Sequence, residues 1–203
     1  MATRLLLVRH GAHADLGRVL SGRSDACGLT PAGEAAVAAV AERLARGPKP
    51  LGLMASPRRR AQETASLLAR ALNLAITTEP ALDEIDFGAW TARDFAALED
   101  EPAWQQWNSQ RATAQPPGGE AMHEAASRLL RWIATLPERY PAGLVIAVTH
   151  ADLIKAALLA HLGASLDGYW RLEVAPASVS ILELWPGGGR VLGINLGAGE
   201  TAE

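Results

Sequence analysis

The sequence of 203 residues predicts an α/β fold: a three-layer α/β/α sandwich around a mostly parallel sheet with an antiparallel edge. Short continuous apolar runs alternate with longer stretches of helical periodicity, which is typical of parallel strands joined by helices. The clearest apolar runs cover residues 5–8 and 144–148, and Pro-Gly-Gly-Gly at 186–189 indicates an antiparallel hairpin. A hydrophobic fraction of 49% suffices for the core of one domain over residues 1–203.

The first half of the chain predicts strands and helices in alternation. Thr30-Pro31 indicates a helix start, because threonine is a favoured N-cap and proline suits the first helical position, and Gly47-Pro48 ends that helix. The elements expected here are, in order, a strand at 3–9, the helix from 30–31 to 47, a strand at 51–55, a helix beginning at Ser56-Pro57, a strand at 75–78 and a loop at 82–90.

The second half contains the strongest strand of the chain and its least regular segment. Residues 144–148 are continuously apolar, as a central parallel strand should be. Residues 91–112 are expected to be helical with a break at Pro102, and we interpret 91–120 as a helical insertion over the edge of the sheet. The other expected elements are a helix at about 120–136, a helix that ends near 162 and two or three strands within 169–196.

Composition and charge narrow the range of partners. A net charge of −3 at pH 7 argues against a general nucleic-acid binder, so an anion site would have to be local. Cys27 is the single cysteine, which excludes an internal disulfide framework and suits a reducing compartment. The apolar runs are far shorter than the ~20 residues of a membrane-spanning helix, and the N-terminal run is too short for a secretory signal. We therefore expect a cytoplasmic protein with no nucleic-acid and no membrane partner.

Two histidines occupy matching positions at the ends of apolar strands. His10 follows Arg9 at the end of the first strand, and His150 follows Thr149 at the end of the strand at 144–148. If both strands are central and adjacent, their carboxyl ends bring the two imidazoles to one crevice, where open α/β sheets bind ligands. Arginine binds phosphate or carboxylate, and histidine acts as a nucleophile or proton carrier. Each histidine alone could instead be a hydrogen-bonded structural residue.

Charged residues elsewhere indicate an anion site and a proton donor. Arg58, Arg59 and Arg60 stand at a predicted helix start, where the helix dipole disfavours cations unless an anion is bound. We expect one of the three to point inward and the others to form a solvated basic face. The loop at 82–90 sets acidic residues between Leu, Ile, Phe and Trp, and such partial burial raises a carboxyl pKa toward neutrality, which suits a general acid. A surface acidic loop with aromatic anchors fits the same pattern.

Six separated parts of the sequence match motifs that one enzyme family shows in the same order. They are Arg9-His10-Gly11, Ser21-Gly22 through Asp25 with Leu29-Thr30 and Gly33, Ser56-Pro57-x-x-Arg60-Ala61-x-x-Thr64-Ala65, Leu82-x-Glu84-x-x-x-Gly88-x-Trp90, Pro117-Gly118-Gly119-Glu120 and Val148-Thr149-His150-Ala151. Over nearly its whole length the chain thus resembles the histidine phosphatase superfamily, in its phosphoglycerate mutase-like branch. Each motif is modest alone, whereas their common order is hard to reach by accident.

The resemblance implies a role for each residue of the expected site. His10 would be the nucleophile that becomes phosphorylated, and Glu84 would be the proton donor. The phosphoryl oxygens would be held by Arg9, Arg60 and His150, so that Arg60 is the inward arginine. This chemistry needs no metal and no cofactor. The residues expected to bind substrate are Gly11, Ser21, Gly22, Arg23 and Ala151.

Three positions after the first histidine depart from the family's pattern. Ala12, His13 and Leu16 stand where the family often has an acidic or amide residue, a Thr or Ser, and an Asn. His13 could replace the Thr as a donor or be exposed, and Arg23 could bind an anionic group of the substrate or be a solvated loop arginine. We expect the choice of substrate to depend on the departing positions.

The middle of the chain favours a phosphatase over a mutase. The family's cofactor-dependent mutases are longer and carry a basic insertion there, whereas residues 91–120 contain only Arg93 and Arg111. We expect a phosphoric monoester hydrolase that acts without a metal on a small phosphate ester through a phosphohistidine. The alternatives are phosphoglycerate mutase-type phosphoryl transfer and a non-catalytic phosphate-binding module. A homodimer stays open because three tryptophans could face a partner as easily as the core. These are Trp104, Trp107 and Trp132.

Overall fold

The computed structural model describes residues 2–199, and this range contains eight strands and five α-helices. The strands are β1 (Thr3–Arg9), β2 (Val19–Leu20), β3 (Gly52–Ala55), β4 (Ile76–Thr78), β5 (Arg93–Asp94), β6 (Leu144–Thr149), β7 (Val179–Trp185) and β8 (Gly188–Leu196). The helices are α1 (Pro31–Ala45), α2 (Arg59–Leu72), α3 (Pro102–Ser109), α4 (Met122–Arg139) and α5 (Ala151–His161). Short 3-10 turns lie at Pro80–Leu82, Gly88–Trp90, Phe95–Ala97 and Leu166–Arg171.

Six of the strands form one sheet in the order β4-β3-β6-β1-β7-β8. The first four run parallel, and β7 and β8 add an antiparallel edge. The register pairs Arg9 with Thr149, so β1 and β6 end side by side. His10 and His150 follow these strands directly and therefore lie at the same edge of the sheet. The predicted mostly parallel sheet with an antiparallel edge is confirmed.

Successive residues of β1 enter the core on opposite faces of the sheet. Leu5 and Leu7 pack in the cluster that holds the apolar side chains of α4 and α5, whereas Leu6 and Val8 pack with those of α1 and α2. This alternation follows from the two-residue period of a strand. Because both faces are covered by helices, both sets of residues are apolar, which explains the continuous apolar run.

The segment between β4 and α4 differs from the helical pattern predicted for residues 91–112. Arg93–Asp94 forms β5 and pairs antiparallel with β2, and the α-helix is confined to Pro102–Ser109. Ala92 has a φ of +63°, which no α-helix continues through, and its N–H donates to the carbonyl of Leu20 at 2.8 Å. Tertiary pairing with β2 thus overrides the local helical pattern.

The three tryptophans of uncertain orientation belong to the core. Trp107 and Trp132 are buried, and Trp104 is partly buried against the same cluster, with its ring edge-on to that of Trp90 at 5.2 Å between centroids. They therefore give no support to a homodimer, which stays a prediction. Within residues 2–199, no helix combines the length and the hydropathy that crossing a bilayer requires.

Candidate active site

A cavity of about 170 Å³ opens at the carboxyl ends of β1 and β6. We call it the histidine cavity; its lining residues are Arg9, His10, His13, Leu16, Gly17, Val19, Leu20, Ser21, Gly22, Arg60, Glu84, Phe87, Phe95, Ala151 and Asp152. Four of the five predicted catalytic residues line it, and the fifth, His150, lies behind them in contact with Arg60. A larger cavity of about 380 Å³ at the opposite end of the strands is mostly apolar, and its described lining contains no histidine and no carboxylate.

His10 is held as a neutral imidazole in one tautomer. Its Nδ1 lies 2.9 Å from the carbonyl oxygen of Gly11, which can only accept, so Nδ1 carries the proton. Its Nε2 accepts from Nε of Arg60 at 3.2 Å and is therefore unprotonated. The residue is 3% exposed, and its burial, followed by the positive charge of Arg60, lowers the pKa of His10 well below its ordinary value. An unprotonated ring nitrogen thus faces the cavity at neutral pH.

Arg60 is the arginine of the three that points inward. It is 2% exposed in the first turn of α2, and its guanidinium donates to the carbonyls of Gly22 at 2.8 Å and Ser24 at 3.2 Å. Burial lowers its pKa, and the neighbouring Glu84 acts in the opposite direction. The backbone carbonyls and the two histidine nitrogens that face it offset the cost of a cation at a helix N-terminus.

The other two arginines of this turn, Arg58 and Arg59, form ion pairs outside the cavity. Arg58 forms ion pairs with Asp25 at 3.1 Å and Asp83 at 2.9 Å, and Arg59 pairs with Glu63 at 2.8 Å. The helix begins at Arg59 instead of at Ser56-Pro57 as predicted, because Ser56 turns its side chain toward the site. Its Oγ lies 2.8 Å from His150.

His150 is fully buried between Ser56 and Arg60. Its Nδ1 lies 3.1 Å from Nη2 of Arg60, and since an arginine can only donate, Nδ1 is the acceptor and Nε2–H donates to the Ser56 hydroxyl. Burial, then Arg60, lowers the pKa of His150 well below its ordinary value. The second imidazole is therefore also neutral at pH 7.

Glu84 supplies the carboxyl group of the site. Its Oε1 accepts from the N–H of Ile85 at 3.0 Å, and its Oε2 lies 3.5 Å from Nη2 of Arg60 and 3.4 Å from Nδ1 of His150. Burial, followed by the charge of Asp152, raises the pKa of Glu84 to about 7. The carboxyl can therefore exchange a proton near neutral pH, as a general acid and base requires.

Two arginines, Arg23 and Arg128, hold the backbone of Glu84, and we call them the arginine clamp. Nε of Arg23 and Nη2 of Arg128 both donate to the Glu84 carbonyl, at 2.8 and 3.1 Å. Glu120 joins the two, accepting from Arg23 at 3.0 Å and from Arg128 at 2.7 Å. Arg23 was expected to contact the substrate. In the structure its guanidinium instead binds the Glu84 backbone and Glu120, and Arg23 does not line the histidine cavity.

Gly11 also lies elsewhere than expected. Its N–H donates to Oγ1 of Thr64 at 3.0 Å, and a Cβ built on it would lie 2.8 Å from Cγ2 of Val37. The missing side chain thus allows close packing of the backbone against α1 and does not make room for a ligand. The remaining residues of the expected substrate set do line the cavity: Ser21, Gly22 and Ala151.

Arg9 has a buried hydrogen-bond donor that no described residue accepts from. One nitrogen, Nη1, donates to the Val174 carbonyl at 2.6 Å, and the buried Nε has no partner in the described part of the chain. Burial lowers the pKa of Arg9, and Glu84 and Asp152 act against that shift. A buried donor without an acceptor, on a residue that lines a cavity, fits a site that takes an anion.

Two further residues line the cavity: His13, for which the sequence allowed two alternatives, and Asp152, which was not predicted from the sequence. His13 is buried, with its ring centroid 5.3 Å from that of His10, and burial followed by Arg60 lowers its pKa to about 4. Of the alternatives for His13, exposure is therefore wrong. Asp152 is not among the residues that the sequence predicts for the site, although its position two residues after His150, in the first turn of α5, is a signal for it. Its carboxylate pairs with Arg111 at 3.1 Å.

The arrangement as a whole is a pocket whose two cations suit an anion, beside a candidate nucleophile and a candidate proton donor. Two guanidinium groups, a neutral imidazole with an unprotonated Nε2 and a carboxyl group whose pKa is about 7 lie together in this cavity. Among residues 2–199, no group of three or more His, Cys, Asp or Glu side chains is placed to hold a metal ion.

Comparison with known proteins assigns the family. A profile of the histidine phosphatase superfamily (branch 1) matches residues 5–197. The bifunctional protein Rv2228c of Mycobacterium tuberculosis is 37% identical over 188 residues, which cover 92% of this chain and 51% of that protein, so the chain spans about half the length of that relative. A probable phosphoglycerate mutase, GpmB of Yersinia enterocolitica, is 28% identical over 98% of this chain and 94% of its own length.

Solved structures agree with this assignment. The mycobacterial glucosyl-3-phosphoglycerate phosphatase Rv2419c superimposes with a TM-score of 0.85 at 27% identity, covering 97% of this chain and all of that one. The protein belongs to the histidine phosphatase superfamily, branch 1.

Proposed function

We propose that this protein is a metal-independent phosphatase that hydrolyses a small phosphomonoester through a phosphohistidine at His10. The observation that carries the proposal is the unprotonated Nε2 of the buried, neutral His10 imidazole, which accepts a hydrogen bond from Arg60 in a cavity that Arg9 and Glu84 also line. The family and the relatives support an enzyme of the phosphatase or mutase type. The single free Cys27 favours the cytoplasm as its compartment.

In the first half of the reaction, the lone pair of His10 Nε2 attacks phosphorus and the bond from phosphorus to the ester oxygen breaks. The N–H of Arg60 that donates to Nε2 in the free site moves to a phosphoryl oxygen, which releases the lone pair. Protonated Glu84 gives its proton to the departing oxygen, so the alcohol leaves neutral. The guanidinium groups of Arg9 and Arg60 stabilise the charge on the phosphoryl oxygens.

In the second half, water replaces the alcohol. The carboxylate of Glu84 takes a proton from this water, whose oxygen attacks the phosphorus of the phosphohistidine. The bond between nitrogen and phosphorus breaks, its electron pair returns to Nε2, and inorganic phosphate leaves. The hydrogen bond from Nδ1 to the Gly11 carbonyl holds the ring in one orientation throughout, so the same anion pocket serves both halves.

Release of inorganic phosphate tests the proposal. A panel of small phosphomonoesters is incubated with the protein in the presence of a metal chelator, and His10→Ala is expected to lower the rate by several powers of ten. The matched control is His123→Ala, which removes an exposed histidine of α4 and leaves the rate unchanged. Near-normal hydrolysis by His10→Ala, or an absolute need for a divalent metal, would contradict the proposal.

A mutase is the second candidate, favoured by the similarity to GpmB. It would return the phosphoryl group to its own substrate and would have to hold a second anionic group meanwhile. Arg9 and Arg60 already serve the phosphoryl group, and Arg23 and Arg58 are occupied by carboxylates. Incubation with 3-phosphoglycerate distinguishes the two: a phosphatase releases inorganic phosphate, whereas a mutase yields the isomeric ester.

A further inference from the structure

We infer that the substrate is a phosphomonoester whose organic part is apolar and uncharged or cationic, with a hydrogen-bond donor for Asp152, and that esters with a second anionic group are discriminated against. This inference rests on the proposed phosphatase activity and narrows its substrate class. Three features of the histidine cavity carry it: its apolar wall, the positions of its cations and the fixed carboxylate of Asp152.

One wall of the cavity is apolar. Leu16, Val19 and Leu20 contribute to it from one segment, and Phe87 and Phe95 from another. The pairing of β2 with β5 brings the two segments together, and the N–H of Phe95 donates to the carbonyl of Arg18 at 2.9 Å. A surface of this kind gains free energy by removing an apolar group of the substrate from water, and it offers nothing to a charged one.

The cations of the cavity are confined to its phosphoryl end. Among the described residues that line it, Arg9 and Arg60 are the only arginine or lysine side chains. Arg60 contacts Nε2 of His10 directly, and Arg9 lines the same cavity with its charge acting on the His10 imidazole, so both cations lie at the end of the cavity where the phosphoryl group would bind. A second carboxylate or phosphate on the substrate would therefore find no free guanidinium beside the apolar wall.

The carboxylate of Asp152 lines the cavity and is fixed in position. Its Oδ2 accepts from Nη1 of Arg111 at 3.1 Å, whereas its Oδ1 accepts no hydrogen bond within residues 2–199. Arg111 is itself immobilised, because its guanidinium lies over the ring of Tyr169 at 3.8 Å and that of Trp107 at 4.5 Å. Asp152 thus presents an acceptor that suits a hydroxyl or an amine and repels an anion.

Three matched esters test the inference: 2-phenylethyl phosphate and its 4-carboxy and 4-aminomethyl derivatives. The substituent is remote from the ester oxygen, so all three use the same chemical step and differ in the charge that reaches the cavity. The wild-type protein is expected to prefer the uncharged and cationic esters over the carboxylated one by roughly tenfold or more in kcat/KM. Asp152→Asn is expected to lower this ratio several-fold, with Asp152→Ser as a second variant.

The test compares kcat/KM between esters because an Asp152 substitution can also change the reactivity of Glu84. Such a change affects all three esters equally and therefore cancels in the ratio. Glu42→Gln, which removes one negative charge from the exposed face of α1, is the control and leaves the ratio unchanged. Equal or faster hydrolysis of the carboxylated ester by the wild type, or an unchanged ratio in both Asp152 variants, would overturn the inference and leave the phosphatase standing. If the protein hydrolysed neither these three esters nor any ester of the wider phosphomonoester panel, both the proposed function and the inference would be wrong.

Discussion

At the scale of single residues, the role proposed for His10 depends on two hydrogen bonds on opposite sides of its ring. The Gly11 carbonyl fixes the proton on Nδ1, and Arg60 faces the lone pair of Nε2. His10 could be predicted from its position at the end of a strand, and Arg60 and Glu84 from their positions within family motifs. Together these observations predicted that the three residues share a cavity. The same reasoning did not find that Gly11 and Arg23 turn away, because their orientation is set by partners distant in sequence, Thr64 and Glu120 among them.

The pH dependence of hydrolysis is expected to follow Glu84. Its pKa is raised to about 7, so the carboxyl is protonated below that pH and can act as an acid, and kcat/KM for an alkyl phosphate should fall as the pH rises through 7. Glu84→Gln is expected to lower kcat roughly 10²–10⁴-fold and to abolish this alkaline limb. A limb that persists in Glu84→Gln would arise from ionisation of the substrate and would contradict the assignment; Glu99→Gln, at an exposed position, is the control.

At the scale of elements, strands and helices act as supports that bring distant side chains to one edge. The apolar runs predicted β1, β3 and β6 closely, since burial on both faces leaves a strong local signal. The pairing of β2 with β5 could not be predicted, because each strand is two residues long and its stability comes from contact with the other. This pairing matters for the proposed choice of substrate, since it brings together the residues of the apolar wall.

The arginine clamp behind the Glu84 loop gives a prediction at the same scale. Arg128, on α4, donates to the carbonyls of Glu84 and Ala81, so Arg128→Met is expected to misplace the proton donor. Hydrolysis of an alkyl phosphate should fall about tenfold or more, whereas an aryl phosphate, whose leaving group departs as an anion, should be affected little. Parallel kinetics with the two esters measure the difference.

The matched control for the clamp is Arg131→Met, at an exposed position of the same helix, which should leave both rates unchanged. An equal loss with both esters in Arg128→Met would show a general disturbance of the site and would refute the positioning role.

At the scale of the whole molecule, the site affects stability. His10, His13 and His150 are held neutral with pKa values below the ordinary 6.5, that of His13 at about 4. Below pH 6.5 the unfolded chain therefore binds more protons than the folded one, so stability is lost as the pH falls from 6.5 toward 4. Glu84 acts in the opposite sense: its raised pKa makes the folded state bind more protons between pH 4.5 and 7.

The free energy of unfolding is accordingly expected to fall between pH 7 and pH 5, with a slope of at most about 1.4 kcal/mol per pH unit for each proton. His13→Gln should make the fall shallower, and Glu84→Gln should make it steeper. Urea denaturation at pH 5, 6 and 7 measures these slopes. Identical slopes in the wild type and His13→Gln would contradict the neutral, buried state of His13.

The central claim is that His10 forms a covalent bond to phosphorus, and the most direct measurement is rapid quenching after mixing with a ³²P-labelled phosphomonoester. The account predicts a labelled protein whose phosphoryl bond is stable to base and labile to acid, as expected of a phosphohistidine. The label should map to the peptide that contains Arg9-His10-Gly11, persist longer in Glu84→Gln and be absent from His10→Ala. Undiminished labelling of His10→Ala, or turnover of the wild type without any labelled protein, would contradict it.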